Sequence, residues 1–508
     1  MLPMSNSPPP HTNFQSPSKL KITPTLSLGR KISSFTQLRN YFSSQFHNIH
    51  TSTKWLLFFI LFFQVLLFFF LRYGHFVNHS FPRKSPIVIN HSFPVTVPPA
   101  PISKAQLQTI CPYGTVYVYD LPPVLNSDLI RNCHELNPWH SFCDKLSNDG
   151  FGKIAVGGIS KYIPENLKHA WHWTDQFALE VIYHNRMMKY PCRSLEPESA
   201  TAFYIPFYAG LAVGKYLWYN YTNEDRDRHC EIMLDWVTKQ SHWRRSNGSD
   251  HFLSMGRISW DFRRNEVNTW GSSCIFMPGM QNITRLLIER HPWDPFDVGV
   301  PYPTGFHPSS AADMTGWQDF VRRRRRKHLY CFAGGKRRRF KDDFRGLLLS
   351  QCYNNSDVCQ AVDCSGNKCS NGTSRILETF LDSDFCLQPR GDSLTRRSAF
   401  DCMVAGSIPV FFWWRTAYLQ YAWFLPEKPE SYSVFIHRRA VQNGTTSIRS
   451  VLENISKEKV KKMREKVIEY IPKLVYSKPN EGFEGIRDAF DVAVEGVLKR
   501  IKEREFTS

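Results

Sequence analysis

FCLQPRGDSLTRRSAFDCMVAGSIPVFF, residues Phe385 to Phe412, decides the fold class. Its ends are apolar runs of strand length, its centre holds Arg390-Gly391-Asp392, and Gly406 closes a helical stretch ahead of Ile408. The pattern predicts strand, tight turn, helix and strand, with Ser393 as N-cap and Leu394 to Ala405 as the helix. That is half of a βαβ crossover, so the turn lies at the carboxyl end of one strand and the amino end of a helix. Ligands of open α/β sheets bind at that rim, and a helix start offers unpaired N–H groups that suit a phosphate. Gly391 lets backbone come close to a ligand, Arg390 and Arg396 supply charge-assisted hydrogen bonds, and Asp401 stands within reach of a ribose hydroxyl. Arg397 and Asp401, four apart, equally suit an ion pair on a helix face, and Asp392 equally suits a plain turn.

The same alternation extends outward. TVYVYDLP (Thr115–Pro122) reads as a short strand with a Pro turn, and WTDQFALEVIYHNRMMKY (Trp173–Tyr190) as a helix that Asp175 can cap. TAFYIPFYAGL (Thr201–Leu211) is strand-like and leads into a helical stretch; HLYCFAGG (His328–Gly335) restarts the pattern, followed by a helix around FRGLLLSQC. Strands alternating with helices predict parallel sheets covered by helices, and the restart near residue 325 predicts two such domains, 111–320 and 321–508. The charged, amphipathic run Ser456–Arg504 is expected to pack back across both.

Ahead of this body lies Trp55 to Leu71, WLLFFILFFQVLLFFFL, with no charge and one amide, Gln64. As a helix it spans roughly 25 Å, the short end of a membrane crossing. The preceding tail, 1–54, is too long for a cleaved signal's n-region and carries basic residues and no acid, so it is expected to stay cytosolic. The prediction is a single-pass type II signal anchor, a disordered tail before it and an extended luminal stem at 72–110 after it. Nine Asn-X-Ser/Thr sequons, at Asn78, Asn90, Asn220, Asn247, Asn282, Asn354, Asn371, Asn443 and Asn454, all follow the span. So do all 13 cysteines, where disulfides form, and the odd count leaves a thiol over. Cys352, Cys359, Cys364 and Cys369 resemble zinc spacing loosely, and disulfides suit them better.

Ten basic residues and no acid precede Asp120, which reduces the formal charge of +19 to +9 for the folded body. The run VRRRRRKHLYCFAGGKRRRFKDDFRG (Val321–Gly346) would suit nucleic acid in another compartment. In a lumen it reads mostly as a solvated linker, with Arg345, early in the next helix, as the phosphate candidate.

CPYGTVYVYDLPP, TDQFALEVIYHNRM, FYIPFYAGL, DHFLSMGRISWDFRR, GVPYPTGFHP, RRRRRKHLYCFAGG, the opening stretch and YSVFI follow one another in that order. Together, over about Cys111 to Lys499, they resemble the exostosin-type glycosyltransferases, and within them the plant xyloglucan galactosyltransferases, nearer to members acting on the second xylosyl of the repeat. The resemblance implies a GT-B architecture, two Rossmann-like domains facing a cleft, with the nucleotide sugar on the second. It implies UDP-galactose as donor, xyloglucan as acceptor, the Golgi membrane as location and β-galactosyl transfer to O2 of a xylosyl side chain. Other transferases of the same polysaccharide are candidate partners, and nucleic acid is not expected. Arg390, Gly391, Asp392, Ser393 and Arg396 would face the diphosphate, with Arg345 and Arg397 nearby and Asp401 on the ribose. The chain departs from the commoner family pattern at Phe412-Trp413-Trp414-Arg415, which leaves arabinosyl or galacturonosyl transfer as alternatives, Arg415 being a cation that a uronate would want.

An α-linked donor giving a β product requires one in-line displacement with inversion. Arginines and a helix end are expected to neutralise the leaving diphosphate, so no metal is predicted, and Asp382-Ser383-Asp384 is read as helix-end and turn residues. The base is expected from the first domain: Asp261, between Trp260 and Phe262, or His251, whose side chain titrates near neutrality. Trp413, Trp414 and Trp423 are candidates for the acceptor's sugar faces. A non-catalytic Golgi scaffold or glycan-binding protein is the reading from another class; the set Arg390, Arg396 and Asp401 speaks against it.

Overall fold

The structure, a computed structural model, describes residues 62–64, 109–337, 343–366, 369, 374–478 and 485–505. The predicted tail, the rest of the 55–71 segment, the stem to residue 108 and three sequons (Asn78, Asn90, Asn371) lie outside the described residues. Among the described residues no helix is long and apolar enough to cross a membrane. The folded body is the compact unit Pro99–Ser508.

Two all-parallel sheets organise it. The first takes β1 (Val116–Val118), β2 (Arg193–Ser194), β3 (Ala202–Tyr204), β4 (His251–Ile258), β5 (Thr284–Glu289) and β6 (Asp297–Gly299) in the order β2-β1-β3-β4-β5-β6. The second takes β7 (His328–Gly334), β8 (Cys359–Asp363), β9 (Ser383–Gln388), β10 (Ile408–Phe411) and β11 (Val434–Phe435) in the order β11-β10-β9-β7-β8. Parallel strands covered on both faces need continuous apolar runs, and TRLLIE and IPVF are buried at every position.

The helices that frame the site and the core are α1 (Leu179–Met188), α2 (Ala209–Tyr216), α3 (Ala311–Arg323), α4 (Phe344–Asn354), α5 (Ser374–Leu381), α6 (Ser398–Val404), α7 (Lys457–Tyr470) and α8 (Ala489–Glu505). Trp317 on α3 is fully buried and donates its indole N–H to the Val404 carbonyl at 2.8 Å. The C-terminal run breaks after Tyr470, where Pro472 follows, and resumes as α8. Phe490, Ala493, Val494, Val497 and Ile501 of α8 join the hydrophobic core of the first sheet. Arg186 of α1 fastens this return, donating to Asp488 and to the hydroxyl and carbonyl of Ser477.

Six disulfides form, Cys111–Cys192, Cys133–Cys143, Cys230–Cys274, Cys352–Cys359, Cys364–Cys369 and Cys386–Cys402. The leftover thiol is Cys331, buried in β7, and burial pushes it up to about 12. The four-cysteine cluster is therefore two bridges.

Two expectations are corrected. The helix of the opening stretch begins at Ser398, not Leu394, and Arg397 rather than Ser393 occupies the cap position. Residues 391–397 instead fold back as a loop: a Cβ on Gly391 would stand 1.9 Å from the Thr395 carbonyl oxygen, which only glycine permits. The polybasic run is also not simply a solvated linker. Arg326 donates to the carbonyls of Phe380, Leu381, Ser383 and Ala405 and to the Ser407 hydroxyl, stapling the end of α5 and the α6–β10 turn onto the start of β7. Arg322 pairs with Glu465 and Arg324 with Asp382.

Candidate active site

The second sheet carries the site. Strand β7 ends at Gly334, and a Cβ on the following Gly335 would meet the Cys364 carbonyl at 3.0 Å, so the glycine lets this turn pack against the backbone after β8. Beyond that rim opens a cleft of about 390 Å³, lined among others by Gly334, Gly335, Arg345, Arg396, Ser398 and Asp401. The Cys386–Cys402 bridge joins β9 to α6 and so brackets the loop that borders it.

Electrostatically the cleft is short of anions. Arg396 donates Nη2 to the Ala333 carbonyl at 2.8 Å, while its Nη1 is buried without a partner among the described residues. Burial, then the neighbouring Arg345, lowers Arg396 to about 9. Burial, then Arg337, lowers Arg345 to about 10; its guanidinium bonds the Arg390 carbonyl at 3.2 and 3.3 Å. Two half-buried cations side by side are costly unless an anion joins them. Asp401 is raised by burial and held by Arg397 at 3.3 Å.

The predicted residues separate. Arg345, Arg396 and Asp401 line the cleft together. Arg390 lines a smaller adjoining hollow with Arg438, its guanidinium over the Trp413 ring at 5.1 Å. Gly391 makes the loop's tight return. Asp392 points to solvent, paired with Arg337 at 2.5 Å. Ser393 turns to Glu289, and Arg397 reaches away to the Thr174 carbonyl at 2.6 Å.

His251 is a correction. It stands at the amino end of β4, fully buried, stacked on Phe203 at 4.9 Å. Both ring nitrogens are engaged, with the Tyr119 hydroxyl at 2.8 Å and Asp250 at 2.6 Å, so it is a core histidine at the wrong end of the sheet for a base. Asp261 follows the carboxyl end of β4, which is the appropriate rim. It accepts from Arg257 at 3.1 Å and from the Trp270 indole at 2.8 Å, one donor on each oxygen. Each oxygen of a carboxylate keeps a second acceptor position. Asp382 is held by Arg324 and Lys327, and Asp384 by Arg464, so neither carboxylate stands free.

Three groups escape a reading of the sequence. Gly334 and Gly335 show there only as a strand end. Glu289 closes β5 buried, and an acid ending an apolar strand was the signal. Glu180, fully buried on α1, accepts the N–H groups of Gly210, Leu211 and Gly256, tying the start of α2 to the end of β4. Burial outweighs those hydrogen bonds and pushes it up to about 7.

Residues 110–452 match the family model of the exostosin GT47 domain. The chain is 64% identical over 395 residues to "Xyloglucan galactosyltransferase XLT2" of Arabidopsis thaliana, covering 78% of this chain and 76% of that one. It is 41% identical to "Xyloglucan galactosyltransferase MUR3" of the same plant, over 76% of this chain and 62% of that one. It is 38% identical to "Xyloglucan-specific galacturonosyltransferase 1", over 77% and 58%. A solved structure, "Crystal structure of GtfA/B complex", matches over 54% of this chain and 61% of that one at 8% identity and a TM-score of 0.28, which bears no argument.

Proposed function

The chain belongs to the exostosin GT47 family, and we propose that it transfers β-D-galactose from UDP-galactose to O2 of xylosyl side chains of xyloglucan. One observation carries the reading: in a chain 64% identical to a xyloglucan galactosyltransferase, half-buried Arg396, whose Nη1 has no hydrogen-bond partner among the described residues, lines a cleft with Arg345 and Asp401 at the carboxyl rim of a parallel sheet. A nucleoside diphosphate supplies the missing anion, and Asp401 accepts from the ribose.

The two sheets then correspond to a GT-B arrangement, with the acceptor entering from the first-sheet side. Displacement is in line and inverts the anomeric carbon: the acceptor hydroxyl attacks, the bond to the diphosphate breaks, and negative charge grows on the leaving oxygen. Arg345 and Arg396 meet that charge already in place, which is where preorganised donors contribute most. Of the two predicted bases, Asp261 alone stands at the appropriate rim and takes the hydroxyl proton. Anchorage by residues 55–71 in the Golgi membrane, with the body in the lumen, completes the proposal and accords with the sequons and the disulfides.

The test uses the purified full-length chain with xylosylated glucan oligosaccharides and UDP-galactose, UDP-arabinose or UDP-galacturonate, with and without chelator, products being weighed. A hexose added from UDP-galactose in both conditions is expected. A pentose or a uronate as the added sugar would contradict galactosyl transfer and assign donor choice to the Trp413–Arg415 loop. No product from any donor would favour the scaffold.

A further inference from the structure

Glu289 ends strand β5 of the first sheet and is 2% exposed, yet the donors that hold it belong to the loop bordering the nucleotide cleft of the second. Its Oε2 accepts both the backbone N–H and the hydroxyl of Thr395 at 2.7 Å, and the Ser393 hydroxyl and Leu394 N–H also bond the carboxylate. A buried carboxylate is tolerated only when its oxygens are paired in this way. The neighbours on β5 are gripped as well. The Tyr421 hydroxyl donates to the Ile288 carbonyl at 2.8 Å, and the Gln420 side-chain amide bonds both the N–H and the carbonyl of Arg290. Tyr302, just past β6, bonds the Thr395 hydroxyl at 2.9 Å.

The opposite arm of the same loop is held from the second sheet, where Arg345 bonds the Arg390 carbonyl and Arg337 the Gly391 carbonyl. Gly391 lies hard against the Thr395 carbonyl, so the two arms cannot slide past one another. Arg396 follows Thr395 directly in this loop and donates to the Ala333 carbonyl at 2.8 Å.

We propose that Glu289 is a positioning residue for the nucleotide-sugar cleft: a first-sheet carboxylate that fixes residues 393–395 and thereby aims the Arg396 guanidinium at the diphosphate. Donor affinity on the second sheet is thus set in part from the first. The inference rests on reading that cleft as the donor site.

The full-length chain is titrated with UDP by calorimetry and assayed for transfer as wild type, Glu289→Gln and Thr395→Val. The glutamine keeps the shape but turns an NH₂ toward groups that are themselves donors; the valine deletes one hydroxyl and leaves the N–H. Expected are a UDP Kd and a donor KM raised about tenfold in Glu289→Gln and about threefold in Thr395→Val, with the glucan KM within about twofold of wild type. Wild-type UDP affinity in folded Glu289→Gln overturns the proposal, and so does a parallel loss of donor and acceptor affinity, which marks a merely structural residue. If Glu289→Gln does not fold, Thr395→Val decides: weakened UDP binding supports the clamp, unchanged binding overturns it. A wild-type chain that binds no UDP sinks the donor-site reading itself, a result distinct from a variant that binds as wild type does.

Discussion

Two arginine clusters sit in the two halves of the molecule and solve opposite problems. Around β5 and β6, Arg263 and Arg285 meet Asp294 and Asp297: Arg285 bonds both aspartates at 2.7 and 2.8 Å, and Arg263 bonds both at 2.6 and 2.9 Å. Burial alone would raise Asp294, but Arg285 and Arg263 outweigh it and hold that carboxyl below its usual range. Charge there is closed within the chain. Around the loop after β9, Arg345 and Arg396 are half-buried neighbours, both are lowered, and Asp392, which pairs with Arg337 and more loosely with Arg345 at 3.7 Å, is itself exposed to solvent. A protein keeps cations in that state where a ligand completes them. The first cluster closes its charge within the chain; the second is the one proposed to meet the donor's diphosphate.

The same substitution made in each cluster should therefore act with different sign. Arg396→Met is expected to lower kcat/KM for the nucleotide sugar by about 10²–10³-fold, while the melting temperature holds or rises because a half-buried guanidinium with an unsatisfied Nη1 is gone. A fall in stability without loss of transfer would erase the distinction. Arg285→Met is expected to cost about 3 kcal/mol in denaturant unfolding, since buried Asp297 and half-buried Asp294 each lose one of their two arginines.

Glu180 has its folded pKa raised to about 7 from an ordinary 4.5, so the folded chain holds this proton more tightly than the unfolded chain. Its contribution is full below about 4.5 and is lost as pH rises through 7, about 3 kcal/mol over that window. Glu180→Gln, whose Oε1 can still accept from Gly210 and Gly256, should flatten that part of a plot of melting temperature against pH. The smallest contrast lies within the polybasic run. Arg326→Ala, which strips a donor from four carbonyls, is expected to cost about 2 kcal/mol, against less than about 0.5 kcal/mol for the exposed Arg325→Ala; equal costs would restore the linker reading.

Much of this was legible in the chain. The ends of β9 and β10 and the Gly406 stop follow from local pattern, because an apolar run covered on both faces has few alternatives. The start of α6 was not legible. Ser393 is a good cap by composition, but its hydroxyl is drawn to Glu289, more than a hundred positions earlier, and no local rule sees that bond. Arg326 was misread for a related reason: its acceptors are backbone carbonyls, which leave no mark in composition. His251 failed because titration range says nothing about which end of a strand a residue occupies. That Arg345, Arg396 and Asp401 line one cleft was legible because a strand–turn–helix unit fixes which residues reach its rim. Arg397 and Asp392, equally charged and equally near in sequence, were not separable from them without the loop's path.

The cleft beside Arg396 is the proposed seat of a nucleoside diphosphate. Calorimetric titration of UDP into wild type and Arg396→Met, with melting curves of both, tests it most directly. Saturable binding by wild type is expected, and at least about a hundredfold weaker binding by a variant that melts no lower. Equal affinity in the two, with the variant folded, would contradict it.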